Sequence, residues 1–361
     1  MNKRIYKDQT SDEGEIPFYK IGSFGKQADA FISRKLFNEY KKLYPFPKKG
    51  DILISASGSI GRTIVYNGED AYFQDSNIIW IQHDNRLDNT FLHQLFNIIR
   101  WSGVEGTTIK RLYNKNILST QILLPSVEEQ RSIGNLLDNV DNLIAATQHK
   151  IDALEQIKEK LSQNLFDQSW RFKEYSTPWK ENKLKDIVSA YSGGTPSANI
   201  RTYYGGHIPF IRSAEIHSST TALTLTQEGL QNSSAKLVKT GDILYALYGA
   251  NSGDVDRSKI NGAINQAILA MRPSKENDPN FILFQLMRMK DKIVSTYLQG
   301  GQGNLSGRLI LALNLDMPES TLEQRTIGRL LQLLCELIGV NQSKYSQLEL
   351  LKKSLLQNLF V

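Results

Sequence analysis

Apolar positions along the chain follow two rhythms that alternate twice. Between 50 and 81, short β-branched and aromatic runs (Asp51 to Ser55, Thr63 to Tyr66, Tyr72 to Ile81) are separated by the turn signals Gly58-Ser59-Ile60-Gly61 and Asn67-Gly68. Such runs predict strands, and an Asn-Gly pair between two of them predicts a hairpin. A compact, mostly β domain with a few helices, such as one over 89–101, is expected here. From Ser126 to about Gln168 the rhythm becomes helical. Ile133, Leu137, Val140, Ile144, Ile151, Leu154, Leu161 and Leu165 keep the alternating three-and-four spacing of a heptad seam. A second run repeats it with Ile327, Leu331, Leu334, Ile338, Tyr345, Leu348, Leu355 and Leu359. The polar breaks correspond too, Thr147 with Asn341 and Lys158 with Lys352.

A stripe at helical spacing is more often the inner face of a helix lying on its own domain. These runs extend for about 40 residues without proline, far beyond an average globular helix. Two matched helices most simply bury their seams against one another. At about 1.5 Å per residue they predict a rod of roughly 60 Å that fixes the distance between two domains.

Shared words extend this duplication to the whole chain. Lys49-Gly50-Asp51-Ile52-Leu53 returns as Thr240-Gly241-Asp242-Ile243-Leu244, and Glu129-Gln130-Arg131-Ser132-Ile133-Gly134 as Glu323-Gln324-Arg325-Thr326-Ile327-Gly328. Gln163-Asn164-Leu165-Phe166 returns as Gln357-Asn358-Leu359-Phe360, and Ile16-Pro17-Phe18, Asn67-Gly68 and Pro125 keep the same order as Ile208-Pro209-Phe210, Asn261-Gly262 and Pro318. The helical parts match closely while the stretches before them diverge, so two copies of one architecture present different surfaces.

Length and charge bound the remaining choices. A chain of 361 residues predicts two or three domains. Its 43 Lys and Arg against 37 Asp and Glu give a net charge of +6, which makes a polyanionic partner plausible without excluding a mildly basic cytosolic protein. Cys335 has no second cysteine, and a buried free thiol in a reducing compartment is expected. The start, Met1-Asn2-Lys3-Arg4-Ile5, lacks an apolar signal core, and no apolar stretch approaches the roughly 18 residues of a membrane span, so a cytoplasmic location without membrane contact is expected.

Two β-rich domains on a fixed spacer suggest a two-part ruler for B-DNA, which repeats every ~34 Å along one face. The ordered set of motifs resembles the specificity subunit of Type I restriction-modification systems. It comprises the Gly-Asp-Ile-Leu strand, Gly58-Ser59-Ile60-Gly61, the proline followed by Glu-Gln-Arg, Ser192-Gly193-Gly194-Thr195-Pro196 and the Gln-Asn-Leu-Phe helix ends. No one motif is specific; the ordered set spans essentially the whole chain. The resemblance implies an α+β fold with two β-rich target-recognition domains in tandem repeat, separated by two long helices forming an antiparallel coiled coil. The expected boundaries are 1–124 for the first recognition domain, 125–170 for the central helical spacer, 171–317 for the second recognition domain and 318–361 for the C-terminal helical spacer. It also implies a split, asymmetric site on double-stranded DNA. Expected partners are two modification subunits that carry S-adenosylmethionine and methylate adenine, and restriction subunits that translocate, hydrolyse ATP with Mg and cut. One feature departs from the pattern. The second copy opens with Trp179, Leu184-Lys185-Asp186-Ile187 and the Gly-Gly-Thr-Pro loop, whereas the first reaches Ile16-Pro17-Phe18 almost at once, so its opening strand is missing and its full activity is in doubt.

Base readout needs Arg, Lys, Asn, Gln, Ser or Thr on a loop or helix that reaches a groove. In the first copy the candidates are Ser57, Gly58, Ser59 and Arg62 on one loop, and Lys110 and Arg111 on another. In the second they are Thr195, Arg201, Tyr248, Asn251, Ser252, Gln302, Asn304 and Arg308. Glycine loops of this kind serve equally well as plain tight turns, although Gly300 to Asn304 is too polar to pack. The pairs Arg34-Lys35, Lys41-Lys42 and Lys48-Lys49 read more simply as solvated surface. Glu128 and Glu129 suit the positive end of a helix dipole. The outer helix faces, with Gln148, Lys150, Glu155, Glu159 and Lys160, suit docked partners and solvent equally.

No catalytic constellation stands out. The nearest approach to the Asn/Asp-Pro-Pro-aromatic motif of an adenine methyltransferase is Asn277-Asp278-Pro279-Asn280. The chain has no Gly-x-Gly-x-x-Gly, no phosphate-binding Gly-x-x-x-x-Gly-Lys loop and no zinc spacing among its histidines and cysteine. A non-catalytic chain with no cofactor, metal or catalytic residue of its own is therefore expected. The competing readings are a coiled-coil scaffold or antirestriction decoy that mimics DNA, and a self-sufficient methyltransferase.

Overall fold

The computed structural model describes residues 2–58, 60–75, 77–102, 111–298 and 304–360. It divides into two compact units, one of Met1–His149 and Gln342–Val361, the other of Lys150–Asn341. Each unit thus takes in part of both long helices.

The first unit contains β1 (Ile16–Tyr19), β2 (Phe31–Ile32), α1 (Arg34–Leu43), β3 (Ile52–Ser55), β4 (Thr63–Val65), β5 (Tyr72–Phe73), β6 (Ile78–Trp80), α2 (Asn89–Phe96) and α3 (Asn114–Ser119), followed by the start of α4 (Val127–Phe166). β1 lies antiparallel to β2 and parallel to β5. β3 lies between β4 and β6 in a second sheet.

After α4 the second unit continues with β7 (Lys180–Lys183), α5 (Leu184–Ile187), β8 (Val188–Ser192), β9 (Tyr204–Ile211), β10 (Thr224–Leu225), α6 (Gln227–Gln231) and β11 (Lys236–Val238). β12 (Ile243–Ala246), β13 (Val255–Arg257), β14 (Gly262–Ile264), β15 (Ile268–Pro273), α7 (Pro279–Leu298), α8 (Gly307–Leu311), β16 (Asn314–Met317) and α9 (Thr321–Leu359) complete the chain. The plan of the first unit recurs: β9 is parallel to β14, and β12 lies between β13 and β15. β8 adds a fourth strand beside β15, and β7 pairs with β16. Among the described residues the first unit has no counterpart of either added strand.

The recurring Gly-Asp-Ile-Leu word builds the same turn in each unit. The carboxylates of Asp51 and Asp242 accept the backbone N–H of Lys48 and Lys239, each at 2.8 Å. Gly50 and Gly241 hold φ of +93° and +94°, where a Cβ is disfavoured. The turn launches strands buried on both faces, Ile52–Ser55 and Ile243–Ala246.

Two expectations are corrected. Asn67-Gly68 turns the chain but makes no hairpin, because β4 before it and β5 after it belong to different sheets. β4 pairs back onto β3, with Ile54 opposite Thr63, so the hairpin closes around Gly58 and Gly61 instead. The helix expected over 89–101 ends at Phe96; Asn97 and Ile98 donate to carbonyls three residues back, tightening and closing the last turn.

The long helices emerge as their heptads require, with Ser126 capping α4 through the Glu129 N–H at 3.2 Å. In the first unit, Ile133 and Leu137 of α4 share a core with Leu355, Leu356 and Leu359 of α9, and Asp141 pairs with Lys352 at 2.5 Å. In the second, Leu161 and Leu165 share a core with Ile327, Leu331 and Cys335. In both units an early part of one helix meets a late part of the other, so the pairing is antiparallel. Leu137 and Leu331 are fully buried, worth about 1.5–3 kcal/mol each. Thr147 and Asn341, the polar breaks, are buried and donate to the carbonyls of Leu143 and Leu337, each at 2.7 Å. Burial pushes the Cys335 thiol pKa up.

The repeated Gln and Gly of the helix starts clamp each long helix to its unit. Gln130 donates to the carbonyls of Arg86 and Pro125, both at 3.0 Å, and accepts the Asp88 N–H at 2.9 Å. Gln324 donates to Pro318 at 2.8 Å and accepts the Asp278 N–H at 2.9 Å. A Cβ on Gly134 would stand 2.6 Å from the Phe91 nitrogen, and one on Gly328 2.9 Å from that of Phe281. Only glycine lets the helices approach this closely.

Candidate nucleic-acid interface

The loops singled out in the sequence meet in pairs. In the first unit the loop after β3 bridges to the segment before α3 through Ser57 and Arg111; in the second, Tyr248 and Asn304 make the corresponding antiparallel bridge. Each unit therefore brings two candidate loops side by side, held at their bases by backbone pairing.

Within the first pair, some side chains are spent on the fold. Ser57 is buried and donates to Asn77 Oδ1 at 2.8 Å. Arg62 donates to the Ile21 carbonyl at 2.9 Å and lies 5.3 Å over the Phe24 ring. Gly58 has φ +66° with open space where a Cβ would stand, leaving its backbone approachable. Arg111 is exposed. Ser59 and Lys110 lie outside the described residues.

In the second unit Gly249 and Ala250 are exposed at the loop tip, while Ser252 is buried and donates to the Gly249 carbonyl at 2.8 Å. Asn251 is half-buried and reaches the Ser213 carbonyl at 3.4 Å. Gly253, at φ +90°, lies so close to α7 that a Cβ would meet Val294 at 2.8 Å. Asn304, Arg308 and Arg201 are exposed, and so is Thr195, which donates to Gln266 Oε1 at 2.7 Å. Gln302 lies outside the described residues. The neighbouring Gly193 and Gly194 are structural: Cβ atoms there would fall 1.9 Å from the Ile264 carbonyl and 2.6 Å from Ser234.

An ionic cluster that sequence spacing does not reveal braces the base of the loop. His217 Nδ1 lies 2.9 Å from Asp256 and Nε2 3.5 Å from Asp254, while Lys290 pairs with Asp254 and Lys259 Nζ donates to the His217 carbonyl at 2.6 Å. The Asp256 hydrogen bond holds the His217 pKa above its ordinary value. Among the described residues no group of histidine, cysteine and carboxylates is placed to hold a metal, and no helix is long and apolar enough to cross a membrane.

Glu323 plays a part that helix-dipole reasoning missed. It is buried, accepts Arg171 Nε and Nη2 at 2.7 and 2.9 Å, and accepts Trp179 Nε1 at 3.1 Å. Its counterpart Glu129 is exposed, as a dipole-facing carboxylate would be.

Two α+β units of one plan, each holding a bridged pair of loops with different side chains, define a tandem recognition protein. The family model for the Type I restriction modification DNA specificity domain matches residues 1–156 and 176–350, and the chain belongs to that family. A Haemophilus influenzae protein assigned as a type I restriction enzyme specificity subunit is 54% identical over 144 residues, 40% of this chain and only 37% of that relative. The MjaVIII specificity subunit of Methanocaldococcus jannaschii is 25% identical over 339 residues, 88% of this chain and 77% of that one. The crystal structure of the Type I system S subunit from M. genitalium superposes with a TM-score of 0.72 at 17% identity, covering 100% of this chain and 92% of that one, a likeness of fold.

Proposed function

We propose that this chain reads a split, asymmetric sequence on double-stranded DNA, one short word per unit, for subunits that do the chemistry. The observation carrying the reading is the recurrence of one loop-pair geometry, Ser57 with Arg111 and Tyr248 with Asn304, furnished with unlike residues. Like scaffolds favour like docking, and unlike side chains on the loops favour different bases. Arg111, Arg201 and Arg308 are exposed cations suited to phosphates, and Thr195, Asn251 and Asn304 carry groups suited to base edges. The helices common to both units are the proposed spacer. The chain itself supplies recognition; adenine methylation from S-adenosylmethionine, and restriction with ATP and Mg, fall to partners in the cytoplasm.

Apolar residues outside the helix seams support partner docking: Leu136, Leu143 and Ile157 on α4 and Leu333, Val340 and Leu350 on α9 are exposed. Exposed apolar groups in such number on helices are suited to covering by other chains.

The test is selection of bound sequences from random duplex DNA by the full chain assembled with a methyltransferase partner. Two words with a constant gap are expected, and replacing residues 249–252 should change one word only. A single contiguous word, or a change in both words, would refute the reading.

A further inference from the structure

We infer that the first unit carries a docking groove for an extended basic-aromatic peptide segment donated by another polypeptide, whose chemistry is given by this chain's own residues 171–192. In the second unit that segment does three things at once. Arg171 and Trp179 engage the buried Glu323, with Trp179 also edge-on to Phe281 at 5.4 Å. β7 pairs with β16 from Lys180 opposite Met317 to Lys183 opposite Asn314. β8 then covers β15, with Tyr191 opposite Ala270.

The first unit has every receiving surface, and among the described residues none is covered. Gln121-Ile122-Leu123-Leu124-Pro125 matches Asn314-Leu315-Asp316-Met317-Pro318 and pairs with no strand. Leu124 is 45% exposed where its counterpart Met317 is 3% exposed, and Leu123 is 79% exposed. Glu129 makes no ion pair among the described residues, whereas Glu323 is 1% exposed with two partners. Phe91 has Phe360 at 5.0 Å, as Phe281 has Phe166 at 5.2 Å, but no second aromatic in the place of Trp179. A groove of about 480 Å³ lies among these residues, lined by Phe91, Ile122, Leu124, Glu129 and Phe360. β6, the counterpart of β15, is an edge strand.

The occupant follows from the duplication. One contiguous segment fills the carboxylate site, the aromatic site and both strand edges in the second unit. A peptide with an arginine near one end, a tryptophan eight residues on and two strand-forming stretches after it therefore fits the first. Backbone pairing at open edges supplies affinity, and the arginine–carboxylate pair fixes register. A second copy is a poorer donor, since its own 171–192 is engaged within its second unit.

The probe is a labelled synthetic peptide of residues 169–192 titrated into the full chain, with fluorescence anisotropy and amide hydrogen exchange as readouts. Saturable binding of one peptide per chain is expected, with new protection at 78–80 and 121–124. Glu129→Lys should weaken it at least about tenfold, and a peptide carrying Arg171→Glu should recover affinity for that variant. The inference is overturned by absent or unsaturable binding, or by binding indifferent to Glu129→Lys. Protection at 268–273 and 314–317 instead, or a peptide-free dimer already protected at 121–124, overturns it too.

Discussion

The side-chain oxygen of Gln324 accepts the backbone N–H of Asp278 at 2.9 Å, and Gln130 does the same for Asp88 at the same distance. Both amides are buried, at 1% and 2% exposure, and both also donate to the proline carbonyl ahead of their helix. A repeated word of sequence is thus a repeated joint between a long helix and the domain it leaves.

Cutting either joint should loosen its own unit. Gln324→Ala and Gln130→Ala each leave a buried N–H and buried carbonyls unpaired, and a loss of about 1–3 kcal/mol is expected for each. Chemical denaturation, with hydrogen exchange resolving the two units, checks both size and location.

Glycine substitutions should divide by contact and not by helix propensity. Gly328→Ala pushes a methyl against the Phe281 nitrogen and should cost about 1–3 kcal/mol. Gly339→Ala, in the same helix with open space around it, should stabilise by roughly 0.5–1 kcal/mol. Opposite shifts in melting temperature are the expected result.

Removing a buried carboxylate while its arginine stays behind is costly. Glu323→Ala should destabilise the second unit by about 3–5 kcal/mol. Glu129→Ala, at an exposed position in the matching word, should change stability by no more than about 0.5 kcal/mol. Equal losses at the two positions would contradict the environments described.

The His217 cluster predicts a pH dependence with a definite sign. Its folded pKa is raised by Asp256, so the stabilisation is fully present below the unfolded value of about 6.5 and is lost as pH rises through the raised folded value. Thermal melting of the full chain over that window should fall, and His217→Gln should flatten the profile. NMR titration of the His217 ring checks the raised value directly.

Cation contacts and base contacts should separate in salt. Arg308→Ala and Arg201→Ala should each reduce the slope of log affinity against log salt by about 0.9 if the residue meets a phosphate, weakening all sequences alike. Asn304→Ala should leave the slope unchanged and relax preference at one position, read by binding to variant duplexes.

Much of the fold was written in residues whose constraints are local or periodic. The heptads fixed both long helices, and Gly50-Asp51 marked the turn into β3 because an Asx contact and a positive φ lie within three residues. The duplicated plan followed from words placed 191 to 194 residues apart. The site was legible as regions: Ser57 and Arg111 stand on loops that do meet. Individual side chains were less legible, since Arg62 and Ser57 are absorbed by partners, Ile21, Phe24 and Asn77, that no spacing rule brings near. The role of Glu323 depends on Arg171, 152 residues away in sequence. Asn67-Gly68 misled because a turn signal does not say which strands it joins.

Because the first unit is closed by Gln342–Val361, its assembly runs against the order of synthesis. The ribosome delivers residues 1–149 first, yet Ile133 and Leu137 wait for Leu355, Leu356 and Leu359, the last turns to be made. The unit between, 150–341, is contiguous and has all its own parts earlier. A nascent chain therefore carries an unfinished front end through most of translation, a natural client for chaperones. A premature stop codon at Gln342 should leave the later-made domain folded and the earlier-made one open.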